Sequence, residues 1–186
     1  MQRLIIDIGN SSAKVATFEG DNLVWHVRVE HAELPALLAA KALDSAIQAA
    51  ILSSVIPLSE ELERVVATLP YPCLRMSATL KMPFRIAYET PDTLGPDRLA
   101  AVAEAWTQKP GNDLLIIDVG TAITYDIVTA DGIYRGGNIS PGISMRFKAL
   151  HHFTGKLPMV DKEGQRTEIG FSTETAIREG VLQGVC

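Results

Sequence analysis

Apolar and polar residues alternate along this chain in two distinct ways. From Leu4 the sequence reads Leu-Ile-Ile-Asp-Ile-Gly-Asn-Ser-Ser-Ala-Lys, a short apolar run that ends in Asp, one aliphatic residue, Gly and a polar cluster. β-type residues follow at Val15-Ala16-Thr17-Phe18, then a turn at Gly20-Asp21-Asn22, then a third strand-like run from Leu23 to Val29. Period-two alternation punctuated by turn residues predicts strand–turn–strand–turn–strand. Residues 115–125 repeat the pattern as Leu-Ile-Ile-Asp-Val-Gly-Thr-Ala-Ile-Thr-Tyr, with Asp118 falling 111 residues after Asp7. The second copy continues through Asp126-Ile127-Val128-Thr129, a turn at Ala130-Asp131-Gly132, and Ile133 to Ile139. Helical spacing of apolar residues marks Ala32–Ala42, Leu58–Leu69, Ile143–Phe153 and Thr173–Val185, with Ile51–Val55 as a buried strand between the first two. Pro96–Trp106 reads as a helix joining the halves. The expectation is an α/β protein of two similar domains, residues 1–110 and 111–186, divided near Pro110-Gly111-Asn112.

Composition narrows the class. A chain of 186 residues, 47% hydrophobic and 21% charged, can bury one or two real cores and is not disordered. The formal net charge of -5 argues against a nucleic-acid partner, which calls for a basic face. Met1 and Gln2 lead straight into the first apolar run, without signal-peptide character. The most apolar stretch, Ala46–Leu58, is broken by Gln48, Ser53, Ser54 and Pro57 and is too short for a bilayer. A cytoplasmic protein with no membrane association is expected. Cys73 and Cys186 are too few for a disulfide framework and lack metal-ligand spacing.

The Asp-x-Gly turns carry the chemistry. Glycine at a hairpin lets the backbone approach a ligand closely, and successive N–H groups there form a concave anion site. Asn10, Ser11 and Ser12 add side-chain donors in the first copy, Thr121 and Thr124 in the second. Asp7 or Asp118 beside a phosphate implies an intervening cation, and a hard cation with oxygen ligands fits. Pro96-Asp97-Arg98 opens a helix, where the dipole and free N–H groups keep a carboxylate ionised. Such a carboxylate can accept a proton from an attacking hydroxyl, and a guanidinium fork can hold a substrate carboxylate or amide. In isolation the same three residues also read as a helix cap followed by a surface arginine.

Two such hairpins resemble the phosphate motifs of the sugar kinase, heat-shock protein and actin superfamily, whose fold would be two ribonuclease H-like (actin-like ATPase) domains with mixed sheets. Between them stand Tyr88 and Gly95-Pro96-Asp97-Arg98, and here the sequence resembles type III pantothenate kinases in particular. The same resemblance covers Asp7 to Ser11, Ser53 to Pro57, Asp118 to Thr124, Gly136 to Gly142 and Gly170 to Thr173. It implies ATP-dependent phosphorylation of pantothenate, the first step of coenzyme A biosynthesis. Asp97 would be the catalytic base. Tyr88, Gly95, Pro96, Asp97, Arg98 and Thr173 would form the pantothenate site. Asp7, Ile8, Gly9, Asn10, Ser11, Ser12, Ala13, Lys14 and Thr121 would bind ATP with Mg2+, although Lys14 also reads as a surface lysine. Asp118 would bind a monovalent cation, K+ or NH4+. A homodimer is implied as well.

Family members continue beyond the position of Cys186 with another strand, an adenosine-cupping turn and closing helices. The second domain is therefore expected to be truncated, with apolar surface uncovered. Alternatives are another kinase of the superfamily, a non-catalytic regulator that kept the fold, and a ribonuclease H-like nuclease. The last would need clustered carboxylates around paired metals and a basic face. His151-His152 reads as a helix end, since adjacent helical residues diverge. Trp25, Trp106 and Cys73 read as packing residues.

Overall fold

A computed structural model of the chain describes residues 1–185; Cys186 lies outside them. The first repeat folds into the expected meander. β1 (Gln2–Ile8), β2 (Ala13–Glu19) and β3 (Asn22–Val29) pair antiparallel in sequence order. Gly20, at φ 59°, supplies the left-handed turn between β2 and β3. β4 (Ile47–Ser54) then pairs parallel with β1, and β5 (Cys73–Arg75) pairs parallel with β4. The sheet order is β3-β2-β1-β4-β5, which is the ribonuclease H-like arrangement.

Alternation along β1 decides which face is core. Leu4, Ile6 and Ile8 are fully buried, whereas Ile5 and Asp7 point to the other face. The core joins them to Val15, Leu34, Leu38, Leu52, Leu62 and Val66. Each such aliphatic side chain contributes about 1.5–3 kcal/mol on burial.

Local chemistry sets the ends of the helices. α1 (Leu34–Lys41) begins two residues later than periodicity alone suggests, at the turn fixed by Pro35. α2 (Glu60–Ala67) begins at Ser59, whose Oγ accepts from the Leu62 N–H at 3.2 Å. β4 starts four residues before the apolar stretch Ile51–Val55, because its pairing with β1 extends back to Gln2.

The second repeat forms β7 (Leu114–Val119), β8 (Ala122–Thr129) and β9 (Ile133–Pro141). A two-residue strand, β6 (Arg85–Ile86), pairs parallel with β9, giving the order β6-β9-β8-β7. α3 (Pro96–Gln108) lies in the chain between β6 and β7; α4 (Ile143–His152) and α5 (Thr173–Gln183) follow β9. The mixed sheets and repeated meander make this an α/β protein of the actin-like ATPase class. By contact density the chain forms two compact units. One comprises Met1–Leu114 with Asp126–Gly136, the other Leu115–Tyr125 with Gly137–Cys186. In the second unit α4 and α5 share a small core of Phe147, Val160, Ile177 and Val181. Leu115, Ile117 and Val119, alternate residues of β7, are exposed. Among the described residues no helix is long and apolar enough to cross a membrane.

Candidate active site

The first hairpin is closed by a Gly9 N–H donated to the Ser12 carbonyl at 3.1 Å. Asn10 and Ser11 are exposed at its tip. Ile8 and Ala13 are buried in the core, so only their backbone groups can face a ligand. Asp7 and Lys14 are register partners, and Lys14 Nζ stands 3.6 Å from Asp7 Oδ2. The His31 ring donates from Nε2 to the Gly9 carbonyl at 3.0 Å, bracing the turn from outside. Across the parallel pair, Asp7 lies opposite Ser53, whose buried Oγ has no hydrogen-bond partner among the described residues.

In the second unit the matching hairpin is closed by the Gly120 N–H on the Ala122 carbonyl, at 2.9 Å. Gly142 donates its N–H to the Thr121 carbonyl at 3.0 Å. A β-carbon at Gly142 would collide with the Gly120 carbonyl and stand 2.6 Å from that of Thr121. Backbone cannot yield as a side chain can, so this position requires glycine. Asp118 and Thr121 are both exposed. No group of three or more His, Cys, Asp or Glu able to hold a metal occurs among the described residues. An exposed carboxylate outside any such group suits a weakly held hard cation completed by water or phosphate oxygens, not a closed protein cage.

Gly95 caps α3, Pro96 takes its first position and Asp97 its second. Asp97 Oδ1 accepts from the Arg98 N–H at 2.8 Å, folding the carboxylate back on the positive end of the helix. Arg98 is only 6% exposed. Its Nε and Nη2 donate to Asp126 Oδ1 at 3.0 and 2.6 Å, and the Tyr134 hydroxyl donates to the same oxygen at 2.7 Å. Burial pulls the Arg98 pKa down, but the hydrogen bond and charge of Asp126 outweigh it and the net shift is upward. Burial first, then the bond to Asp126, pushes the Tyr134 hydroxyl far above its ordinary value. Tyr88 packs on Gly136, which sits at φ 92° and could accept no β-carbon, since one would stand 2.9 Å from the Tyr88 ring.

The sequence profile of the type III pantothenate kinase family matches residues 3–186. The chain belongs to the type III pantothenate kinase family. It is 48% identical to a type III pantothenate kinase of Phocaeicola vulgatus over 98% of this chain and 75% of that protein. It is 44% identical to one from Porphyromonas gingivalis over the same shares. A solved structure from Campylobacter jejuni, described as a conserved Baf family transcriptional activator, matches with TM-score 0.62 at 23% identity. That match covers 98% of this chain and 75% of the other; at such identity it bears on the fold alone.

Within this member of the family, Thr173 is the first residue of α5. Ser172 caps the helix and Thr175 completes a capping box with it. Gly170 lies so close to the Ala176 backbone that a β-carbon would collide with it, which accounts for the glycine of that motif. Thr173 borders an apolar groove of about 1070 Å³ between α4 and α5, lined also by Met145, Leu150, Phe153 and Ile177. His151 and His152 lie in the last turn of α4, where His151 Nδ1 pairs with the Leu157 carbonyl.

Three residues of this kinase escaped the motif reading: His31, Asp126 and Tyr134. One signal was present for Asp126. Its counterpart 111 positions earlier is Val15, a buried core residue, so a carboxylate had replaced an aliphatic side chain on a core-facing position. A charge placed there needs a buried partner.

Proposed function

We propose that this chain transfers the γ-phosphate of ATP to the primary hydroxyl of pantothenate, giving 4'-phosphopantothenate and ADP, at the first step of coenzyme A biosynthesis. The observation that carries this reading is the family match over residues 3–186 together with the Asp97 carboxylate held on the end of α3. Asp97 takes the hydroxyl proton as that oxygen bonds to phosphorus and the bond to the ADP oxygen breaks. Tyr88, Gly95, Pro96, Arg98 and Thr173 form the acceptor site in this proposal. Arg98, held by Asp126 through Nε and Nη2, stands beside Tyr88 in the wall of that site. The hairpin from Asp7 to Lys14 and Thr121 hold the nucleotide. Mg2+ would neutralise charge developing on the phosphates. Asp118 holds a monovalent cation, K+ or NH4+. The proposal includes a homodimer working in the cytoplasm. The non-catalytic alternative is not favoured, since the relatives with high coverage carry the kinase name.

The test is ADP release from ATP with and without pantothenate, in potassium and again in sodium. Release that requires both pantothenate and potassium supports the reading. Release indifferent to pantothenate would overturn the acceptor, and equal rates in sodium would overturn the cation.

A further inference from the structure

We infer that Asp126 and Tyr134, which no motif assigns to the site, are positioning residues for the phosphate acceptor side, acting through Arg98 on Asp97. The inference rests on the proposed function for its kinetic consequences. All four residues lie in one compact unit.

The chain of contacts is short. Asp126 is 1% exposed and sits on β8. It receives Nε and Nη2 of Arg98, a charge-assisted pair with side-on geometry. Tyr134, wholly buried on β9, adds its hydroxyl to the same carboxylate oxygen. Tyr134 is itself held between Phe84 and Tyr88, with ring centroids at 6.1 and 6.2 Å. Its backbone is pinned too, because the Ala87 N–H donates to the Tyr134 carbonyl at 3.0 Å. Arg98 therefore cannot swing out of its place, and Asp97 is its neighbour in the first turn of α3. Tyr88 closes the other side, its ring centroid 6.0 Å from Arg98 Cζ. The pair thus ties two acceptor-site residues and the base to a rigid sheet.

This arrangement does more than stabilise. A buried ion pair is a poor source of net stability compared with apolar packing, and its best-attested use is to specify one arrangement. Here the arrangement specified is the direction from which the first turn of α3 presents Asp97. Loss of the Tyr134 hydroxyl leaves the Arg98–Asp126 pair in place with one acceptor site unfilled, so the change is small in volume and aimed at orientation.

The experiment compares the unmutated chain with Tyr134→Phe and Asp126→Asn in steady state, with folding checked by thermal melts. Tyr134→Phe is expected to fold, and it remains informative should Asp126→Asn fail to. Misplacement of the base lowers kcat/KM for pantothenate about tenfold, with the ATP KM within about twofold. A folded Tyr134→Phe protein with unchanged kcat and pantothenate KM overturns the inference, as does an equal rise in both KM values. Hydrogen exchange supplies a readout independent of turnover: amides of residues 99–103 are expected to exchange faster in Tyr134→Phe, with those of α2 unchanged. If the unmutated chain ignores pantothenate, the proposed function falls, and unchanged exchange at 99–103 in the variant then overturns the positioning role by itself.

Discussion

A β-carbon on Gly95 would stand 2.5 Å from Asp97 Oδ1, so the glycine holds open the space that the carboxylate occupies. Gly95 has φ -55°, a conformation open to any residue, so backbone freedom is not what requires glycine here. Room for the carboxylate is. Gly95→Ala is therefore expected to fold normally while pushing the Asp97 carboxylate off the Arg98 N–H. Displacement of a catalytic group on the scale of an ångström costs roughly tenfold to hundredfold in kcat. Steady-state kinetics with a parallel melting curve checks it; a variant with full kcat would show that Asp97 is free to relocate.

Asp97→Asn removes the proposed proton acceptor and keeps the shape. A positioned general base contributes about 10²–10⁴ in rate, so kcat should fall by that order. The nucleotide affinity, read by calorimetry with ADP, should stay within about threefold of the parent, since the base is not assigned a phosphate contact. Turnover and nucleotide affinity falling together would contradict that division of roles.

Asp118→Ala addresses the cation. Asp118 is exposed near the end of β7, and among the described residues it belongs to no group of three or more His, Cys, Asp or Glu that could hold a metal. Its removal should abolish the difference between potassium and sodium in the ADP-release assay. A variant whose rate still rises with potassium would place the cation elsewhere.

Glu179 links stability to pH. It is 3% exposed, and its Oε1 accepts from Arg166 Nε at 2.9 Å and the Thr167 N–H at 3.0 Å. The Arg166 hydrogen bond first, and the Thr167 N–H next, hold its carboxyl below the ordinary value of 4.5. A carboxylate depressed in the folded state contributes stability above its unfolded pKa and loses it as pH falls through the folded one. Glu179→Gln should thus lower the melting temperature at neutral pH and flatten its decline in the acid range below 4.5. Parallel melts across pH 3 to 7 read both effects, with equal slopes for the two proteins as the contrary result.

Linear sequence was enough for the five helices and for every strand but the short β5 and β6, because the forces that set them act over a few residues. Alternation along β1 and β7 copies, glycine at the φ 59° and 72° turns, Pro35 and Ser59 at helix starts are all local. The two Asp-x-Gly hairpins and Gly95-Pro96-Asp97-Arg98 were equally legible, each being contiguous. What only the tertiary structure decided lies between distant segments. Arg98 finds Asp126 across 28 positions, Gly142 meets the backbone of Gly120 and Thr121, and Tyr88 needs a glycine at 136. Periodicity can say that a position faces inward, and a charge there can say that a partner exists. Which partner it is depends on how the chain returns, because a buried charge is satisfied by groups brought close in space, whatever their separation in sequence.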